Sequence, residues 1–269
     1  MNKKLCIALF MTGVVVLSPS AKDAKDNAVA LTMDYNGKEQ CGYVVDYTSQ
    51  GNFKQKGAVY TKSTNVHCVV SGAHKKQDAL AVKVDSITIK SDMYKEEVKK
   101  ELQEKLLKSD YSLSLANGFP SIDTTAEMPA EGYLEWDLYR QLAKLLPILP
   151  NKPIKPGFTW ERSFVLPLRT ARGTVSCEVY RFYTFNKLQG DTAMISWNFK
   201  YTASKKSIDS TNALNQIPVA GKGSGSALLD IRNHCILKAE MDFATPVAVI
   251  GEVSVTWQEK AVFTLINCK

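Results

Sequence analysis

Two of the three histidines stand beside cysteines, His67 with Cys68 and His234 with Cys235; His74 stands apart. Thiolate and imidazole are ligands that zinc favours, and a thiol within hydrogen-bond reach of an imidazole is an activated nucleophile. Neighbouring side chains on a strand point to opposite faces, however, so a cysteine turned to the core leaves its histidine outside. Both dipeptides fall in strand-like sequence, and the spacing predicts neither a metal centre nor a Cys-His nucleophile. There is no H-E-x-x-H and no G-x-S-x-G, and no metal or cofactor is expected.

Carboxylates offer a second route to chemistry. Glu127, Glu131, Glu135 and Asp137 cluster, and Glu131 and Glu135, one helical turn apart, could work as an acid/base couple. Acids also favour the start of a helix for electrostatic reasons alone, because they meet the positive end of its dipole. No catalytic residue is assigned, and a hydrolase using carboxylates is retained only as an alternative. Gly221-Lys-Gly-Ser-Gly-Ser226 has the look of a phosphate loop, but Gln216 stands where the leading glycine belongs and a strand follows. The glycines are expected to allow a bend or bulge where that strand begins. Of the four tryptophans, Trp197 and Trp257 lie in apolar stripes and are accounted for by packing. Trp136 and Trp160 lie outside them and are the expected ligand-binding aromatics, for a sugar or a lipid.

The elements that would carry these residues follow from periodicity. Ala193, Ile195, Trp197, Phe199, Tyr201 and Ala203 share one phase of a period-two alternation, with mostly polar residues on the other. Similar stripes run through Cys41 to Tyr47, Val66 to Val70, Val175 to Val179 and Cys235 to Phe243. Near the C-terminus Val247, Val249, Val253, Val255, Trp257, Ala261, Phe263 and Leu265 share a phase that Gly251 and Glu259 interrupt. One long bent strand or a hairpin turning near Gln258 to Lys260 would satisfy it. One face apolar and one face wet means antiparallel pairing.

Two segments break the alternation with helical spacing. Tyr94, Val98, Leu102 and Leu106 recur every four residues, with Glu96 to Lys100, Glu101 to Lys105 and Glu104 to Lys108 as supporting pairs. Leu134, Leu138, Leu142 and Leu145 mark a second helix over 133–146, stopped by Pro147. Asn117-Gly118 predicts a hairpin. Pro147, Pro150, Pro153 and Pro156 recur every third residue, as the three-residue turn of polyproline II requires, and 147–157 reads as a stiff connector. The expected fold is α+β, mostly β: a large, curved, half-barrel-like antiparallel sheet covered by two amphipathic helices.

The opening MNKKLCIALFMTGVVVLSPSA, with two lysines, a thirteen-residue apolar run and a small-residue end, reads as a secretory signal peptide over 1–21. Residues 22–269 then form one β-rich exported domain, periplasmic or extracellular, with no transmembrane segment once the signal is removed. The formal net charge of +7 is spread without long basic runs, so nucleic acid is not an expected partner. Composition is otherwise globular, 45% hydrophobic and 23% charged, which excludes a disordered or polytopic membrane chain. Five cysteines remain outside the signal. Cys41, Cys68, Cys177 and Cys235 fall on apolar phases and Cys268 on the opposite one, so a Cys41 to Cys68 disulfide is expected, with Cys268 left over.

The hairpin Tyr111-Ser-Leu-Ser-Leu-Ala-Asn-Gly118, the run Pro147 to Glu161 and the glycine-rich strand start at Gly221 to Gly225 together resemble an uncharacterised family of bacterial exported proteins and lipoproteins. That resemblance implies an envelope location and a curved, strand-rich domain, and brings no agreed activity. The chain departs from the lipoprotein members in having no cysteine at the end of its opening apolar run. The function expected is non-enzymatic: binding of a lipid or other hydrophobic ligand, or of an envelope protein, in the concave face of the sheet. A structural or interaction module with a filled core is the alternative.

Overall fold

The computed structural model describes residues 28–33, 41–76, 79–114, 121–124, 145–170, 173–203, 220–250 and 253–268. Eleven strands follow in chain order: β1 (Cys41–Gln55), β2 (Ala58–Lys76), β3 (Ala79–Ser91), β4 (Asp110–Ser114), β5 (Ser121–Thr124), β6 (Thr159–Thr170), β7 (Gly173–Gln189), β8 (Thr192–Ala203), β9 (Ala220–Asp230), β10 (Cys235–Ile250) and β11 (Val253–Cys268). A helix, α1 (Glu96–Lys108), lies between β3 and β4.

All the strands join one open antiparallel sheet in the order β5-β4-β3-β2-β1-β11-β10-β9-β8-β7-β6. Each neighbour pair is consecutive in sequence except β1 with β11. The sheet is therefore two meanders, one of five strands and one of six, fused where the first strand pairs with the last. The connection from β5 to β6 carries the chain from one edge of the sheet to the other.

Alternation builds the core as expected. Tyr43, Val45 and Tyr47 on β1, Val66, Cys68 and Val70 on β2, and Ile195, Trp197 and Phe199 on β8 all turn to one buried face. Met241 and Phe243 of β10, and Ala261 and Phe263 of β11, continue it across the centre. Two charged residues sit on this apolar face. Glu259 is only 4% exposed and occupies an inward position of β11 between Ser49 and Phe243, and Arg181 is inward on β7. The β10–β11 turn lies between Ile250 and Val253, and β11 runs on through Gln258 to Lys260, because its inward phase accepts the Glu259 side chain.

Helix α1 packs on β3 with Leu102 and Leu106 buried. Glu101–Lys105 and Glu104–Lys108 form at 3.0 and 3.8 Å, whereas Glu96 takes Lys99. Lys99 is nearly buried and its ammonium also donates to the Ser91 carbonyl at 3.2 Å, while Gln103 Nε2 donates to the Ile87 carbonyl at 2.9 Å. Two side-chain to backbone hydrogen bonds thus fix the helix on the end of β3. Among the described residues there is this one helix where two were expected; the second, over 133–146, falls outside them apart from Leu145 and Leu146. β4 and β5 pair antiparallel with Ser114 opposite Ser121; Asn117 and Gly118, where a tight turn is expected, lie outside the described residues.

The proline-rich segment is fastened to the opposite wing. Leu145, Leu146, Ile148, Leu149 and Ile154 are buried. Trp160 Nε1 donates to the Ile148 carbonyl at 2.8 Å, and the Ile148 amide donates to the Tyr183 hydroxyl at 3.1 Å. Val29 and Ile154 exchange backbone hydrogen bonds of 2.9 Å, which ties the segment 28–33 to it.

The glycines of β9 mark no bulge. The β8–β9 register is unbroken from Thr192 opposite Asp230 to Thr202 opposite Ala220. Gly221, Gly223 and Gly225 sit on the inward phase beneath Tyr201, Phe199 and Trp197, and a Cβ at any of them would collide with the ring above. Large rings on β8 fill the space that side chains on β9 would have taken.

The expected Cys41 to Cys68 bridge does not form. Cys41 is bonded to Cys268, and Cys68 is a buried thiol. Cys41 stands opposite Gly72 on β2, whereas Cys68 stands opposite Val45, four residues further along β1. A bulge explains the reversal. Tyr43 pairs with Leu265 but Gly42 pairs with Asn267, so Ile266 is the extra residue and everything after it changes face. Cys268, on the wrong phase by simple alternation, thereby comes level with Cys41.

Candidate functional site

The sheet presents two chemically distinct faces, and register places the side chains on each. On the inner face the apolar surface is continuous from β3 to β8, flanked by α1 on one wing and the buried segment 145–154 on the other. The site on this face is a surface for apolar matter, with Ser49, Thr64 and Glu259 as buried polar groups within it.

The outer face carries a groove of ≈ 890 Å³ across β2, β1, β11, β10, β9 and β8. Asn65, Thr48, Lys260, Asp242, Ser224 and Asn198 are consecutive cross-strand partners and form one row of it. Ser63, Gln50, Gln258, Ala244 and Lys222 form the next row, two residues along. These rows offer amides, hydroxyls, two ammonium groups and one carboxylate to a polar molecule. A hydrophobic ligand has its surface on the opposite side of the sheet. Just beyond the groove, Lys238 lies 3.2 Å from Glu240 and holds its carboxyl below the usual range.

The residues singled out from sequence do not converge. Trp136 and the carboxylates Glu127, Glu131, Glu135 and Asp137 lie outside the described residues. Trp160 is 7% exposed, stacked on Tyr183 with ring centroids 5.0 Å apart and held by its bond to Ile148, so its indole serves the wing of the core. His67 is exposed with Nδ1 2.7 Å from Asp46 Oδ1, while Cys68 beside it is buried. Burial, with Asp85 as a smaller contribution, pushes the Cys68 thiol up to about 12. His234 stands in the β9–β10 turn at φ 55°, its Nδ1 2.7 Å from Thr32 Oγ1. Among the described residues no group of three or more His, Cys, Asp or Glu side chains could hold a metal ion.

Arg181 was not foreseen. It lies on the apolar phase of β7 at 1% exposure and donates through Nη1 to the Leu146 carbonyl at 2.8 Å and the Tyr183 hydroxyl at 3.2 Å. Its guanidinium lies 5.1 Å from the Phe164 ring centroid and about 6 Å from those of Trp197 and Phe199. The signal was present: a charge between Val179 and Tyr183 interrupts an apolar stripe and so needs buried partners.

Neither a protein-family model nor a curated protein matches the chain in sequence. Among solved structures it is similar to lipovitellin, in a structure described by its lipid-protein interactions, at TM-score 0.53 and 10% identity. That match covers 87% of this chain and 25% of the lipovitellin chain, so this protein spans about a quarter of its length. Likeness to the hypothetical lipoprotein YmcC of Escherichia coli is at TM-score 0.27 and 11% identity, over 81% of this chain and 83% of that one. A DUF1329 family protein of Desulfovibrio piger aligns at TM-score 0.24 and 9% identity, over 87% and 86%. The first of these likenesses concerns the fold, a large open antiparallel sheet.

Proposed function

We propose that this is a non-enzymatic, exported protein of the cell envelope that binds a lipid or similar hydrophobic ligand against the inner face of its sheet. The observation that carries the proposal is the apolar face itself, which spans the central strands between two flanking wings, with Ser49 and Glu259 as buried polar groups within it. A twisted sheet of more than about ten strands curls rather than staying flat, and a curl toward the apolar side would wrap that face around a ligand as a half-barrel. The fold shared with lipovitellin, whose solved structure concerns lipid, supports the same class of ligand. Export accords with the Cys41–Cys268 disulfide, since such bonds persist in oxidising compartments.

A second reading has an observation of its own. Tyr47, Val45, Met241 and Ala261, at the middle of the face, are already fully buried without any ligand, which favours a filled core and a structural or partner-binding module. Native mass spectrometry of the protein purified from its own host, with organic-solvent extraction of the same sample, separates the two. A ligand-loaded mass with lipid in the extract is expected; a single bare mass and an empty extract would leave the filled-core module.

A further inference from the structure

The two polar rows of the outer groove run on past β8. Asn198, in the first row, stands opposite Phe182 on β7, and Lys222, in the second, leads through Lys200 on β8 to Tyr180. Phe182 is 42% exposed and Tyr180 38% exposed. The Lys200 ammonium lies 5.7 Å from the Tyr180 ring centroid and 5.9 Å from that of Phe182, and the Tyr180 hydroxyl donates to Glu178 at 3.1 Å, which steadies both rings. A trough of amides and hydroxyls thus ends against two exposed aromatic rings.

Dimensions and lining decide among ligands. From β2 to β8 the groove crosses five strand spacings, roughly 24 Å, and its ≈ 890 Å³ is room for a whole ligand. The occupant is therefore elongated. Thr48, Gln50, Asn65, Asn198 and Gln258 are exposed, and amides and hydroxyls both donate and accept, as sugar hydroxyls do. The flanking rows are engaged within the protein: Asn52 accepts from Thr61 at 2.7 Å on one side, and His67 lies 2.7 Å from Asp46 on the other. Asp242 stands on β10, between the strands that carry Lys260 and Lys222, so the lining offers no run of cations for a phosphate backbone. An extended peptide gains its backbone hydrogen bonds at a sheet edge, whereas this groove crosses the middle of the sheet from strand to strand. A sugar ring has an apolar face that fits an exposed aromatic ring, and Phe182 and Tyr180 supply such rings at the end of the trough.

We infer that the outer groove is a binding site for a linear, uncharged oligosaccharide, with the amides and hydroxyls on its hydroxyl groups and Phe182 and Tyr180 against a terminal ring. The inference goes beyond lipid binding and does not depend on it, since the two sites lie on opposite faces of the sheet.

Calorimetric titration of the purified protein with maltohexaose, cellohexaose and chitohexaose is the test, with the disaccharide of each as a length control. At least one hexasaccharide is expected to bind, roughly tenfold or more tighter than its disaccharide because more hydrogen bonds form. Raising the salt to about 0.5 M should leave the affinity in place, since no ionic attraction is involved. Phe182→Ala should weaken binding roughly fivefold, as the loss of one stacked ring. Gln50→Ala with Gln258→Ala, which face each other on β1 and β11, should weaken it about tenfold. All three positions are exposed, so the thermal midpoint should stay where it is. No heat from any of the three hexasaccharides, binding abolished by salt, a disaccharide that binds as tightly as its hexasaccharide, or folded variants that bind like wild type would each overturn the inference. Its failure leaves the lipid reading standing, and an empty solvent extract leaves this one standing.

Discussion

Cys41, the first residue of β1, and Cys268, the last residue of β11, face each other across the one seam of the sheet that joins distant parts of the sequence, and a disulfide locks them together. Among the described strands, the two meanders pair along these two. A bond that closes 227 residues restricts the unfolded chain strongly, and its loss should be felt by the whole sheet.

Cys268→Ser is therefore expected to cost about 2–5 kcal/mol, read as a fall in the urea midpoint. Reducing agent should lower wild type by the same amount and leave the variant unchanged. Peptide mapping of denatured, unreduced protein should recover Cys41 linked to Cys268; alkylated Cys268 would contradict the pairing.

The glycines of β9 make a separable prediction. A Cβ on Gly225 meets the indole of Trp197, so Gly225→Ala should destabilise by about 1–3 kcal/mol through overpacking. Combining it with Trp197→Leu should cost less than the two changes added, with a coupling of at least about 0.5 kcal/mol. Strict additivity in chemical denaturation would show that the two do not share the space.

Arg181 holds the far wing to the sheet. Arg181→Met removes the donor to the Leu146 carbonyl in a buried setting, and a loss of about 2–4 kcal/mol is expected. Hydrogen exchange of the Leu146, Ile148 and Leu149 amides should rise more than that of β1. Tyr183→Phe, which takes away the acceptor of the Ile148 amide, should raise exchange at the same place with a smaller loss, about 1–3 kcal/mol.

Cys68 supplies a pH dependence. Its thiol is pushed up to about 12 from an ordinary 9.0, by burial first and by Asp85 second. Because the folded chain holds this proton more tightly, the stability linked to it is complete below pH 9.0 and is lost as pH rises toward about 12. Wild type should lose more stability than Cys68→Ala between pH 9 and 11, and native Cys68 should resist iodoacetamide at pH 8. Parallel curves for the two proteins would refute the linkage.

Much of the scaffold was legible in the chain because alternation and helical spacing are local. The stripe from Ala193 to Tyr201, the α1 stripe Val98, Leu102 and Leu106, and the antiparallel pairing of β4 with β5 all stand where period and turn chemistry put them. The site was less legible. Trp160 looked available from its sequence neighbours and is committed to Ile148 and Tyr183, groups that approach only when the segment 145–154 folds back over β7.

Alternation of residue type, written into the chain itself, determines which side of a strand is wet, and here it set the strands, their antiparallel pairing and the apolar face. It says nothing about which strand lies beside which. The pairing of β1 with β11, the buried place of Glu259 between Ser49 and Phe243, and the glycines beneath the rings of β8 all arise between residues apart in sequence. Cys268 shows the reason most plainly: one bulged residue, Ile266, reverses the phase that local pattern assigns, and only the tertiary register of β1 against β11 reveals it.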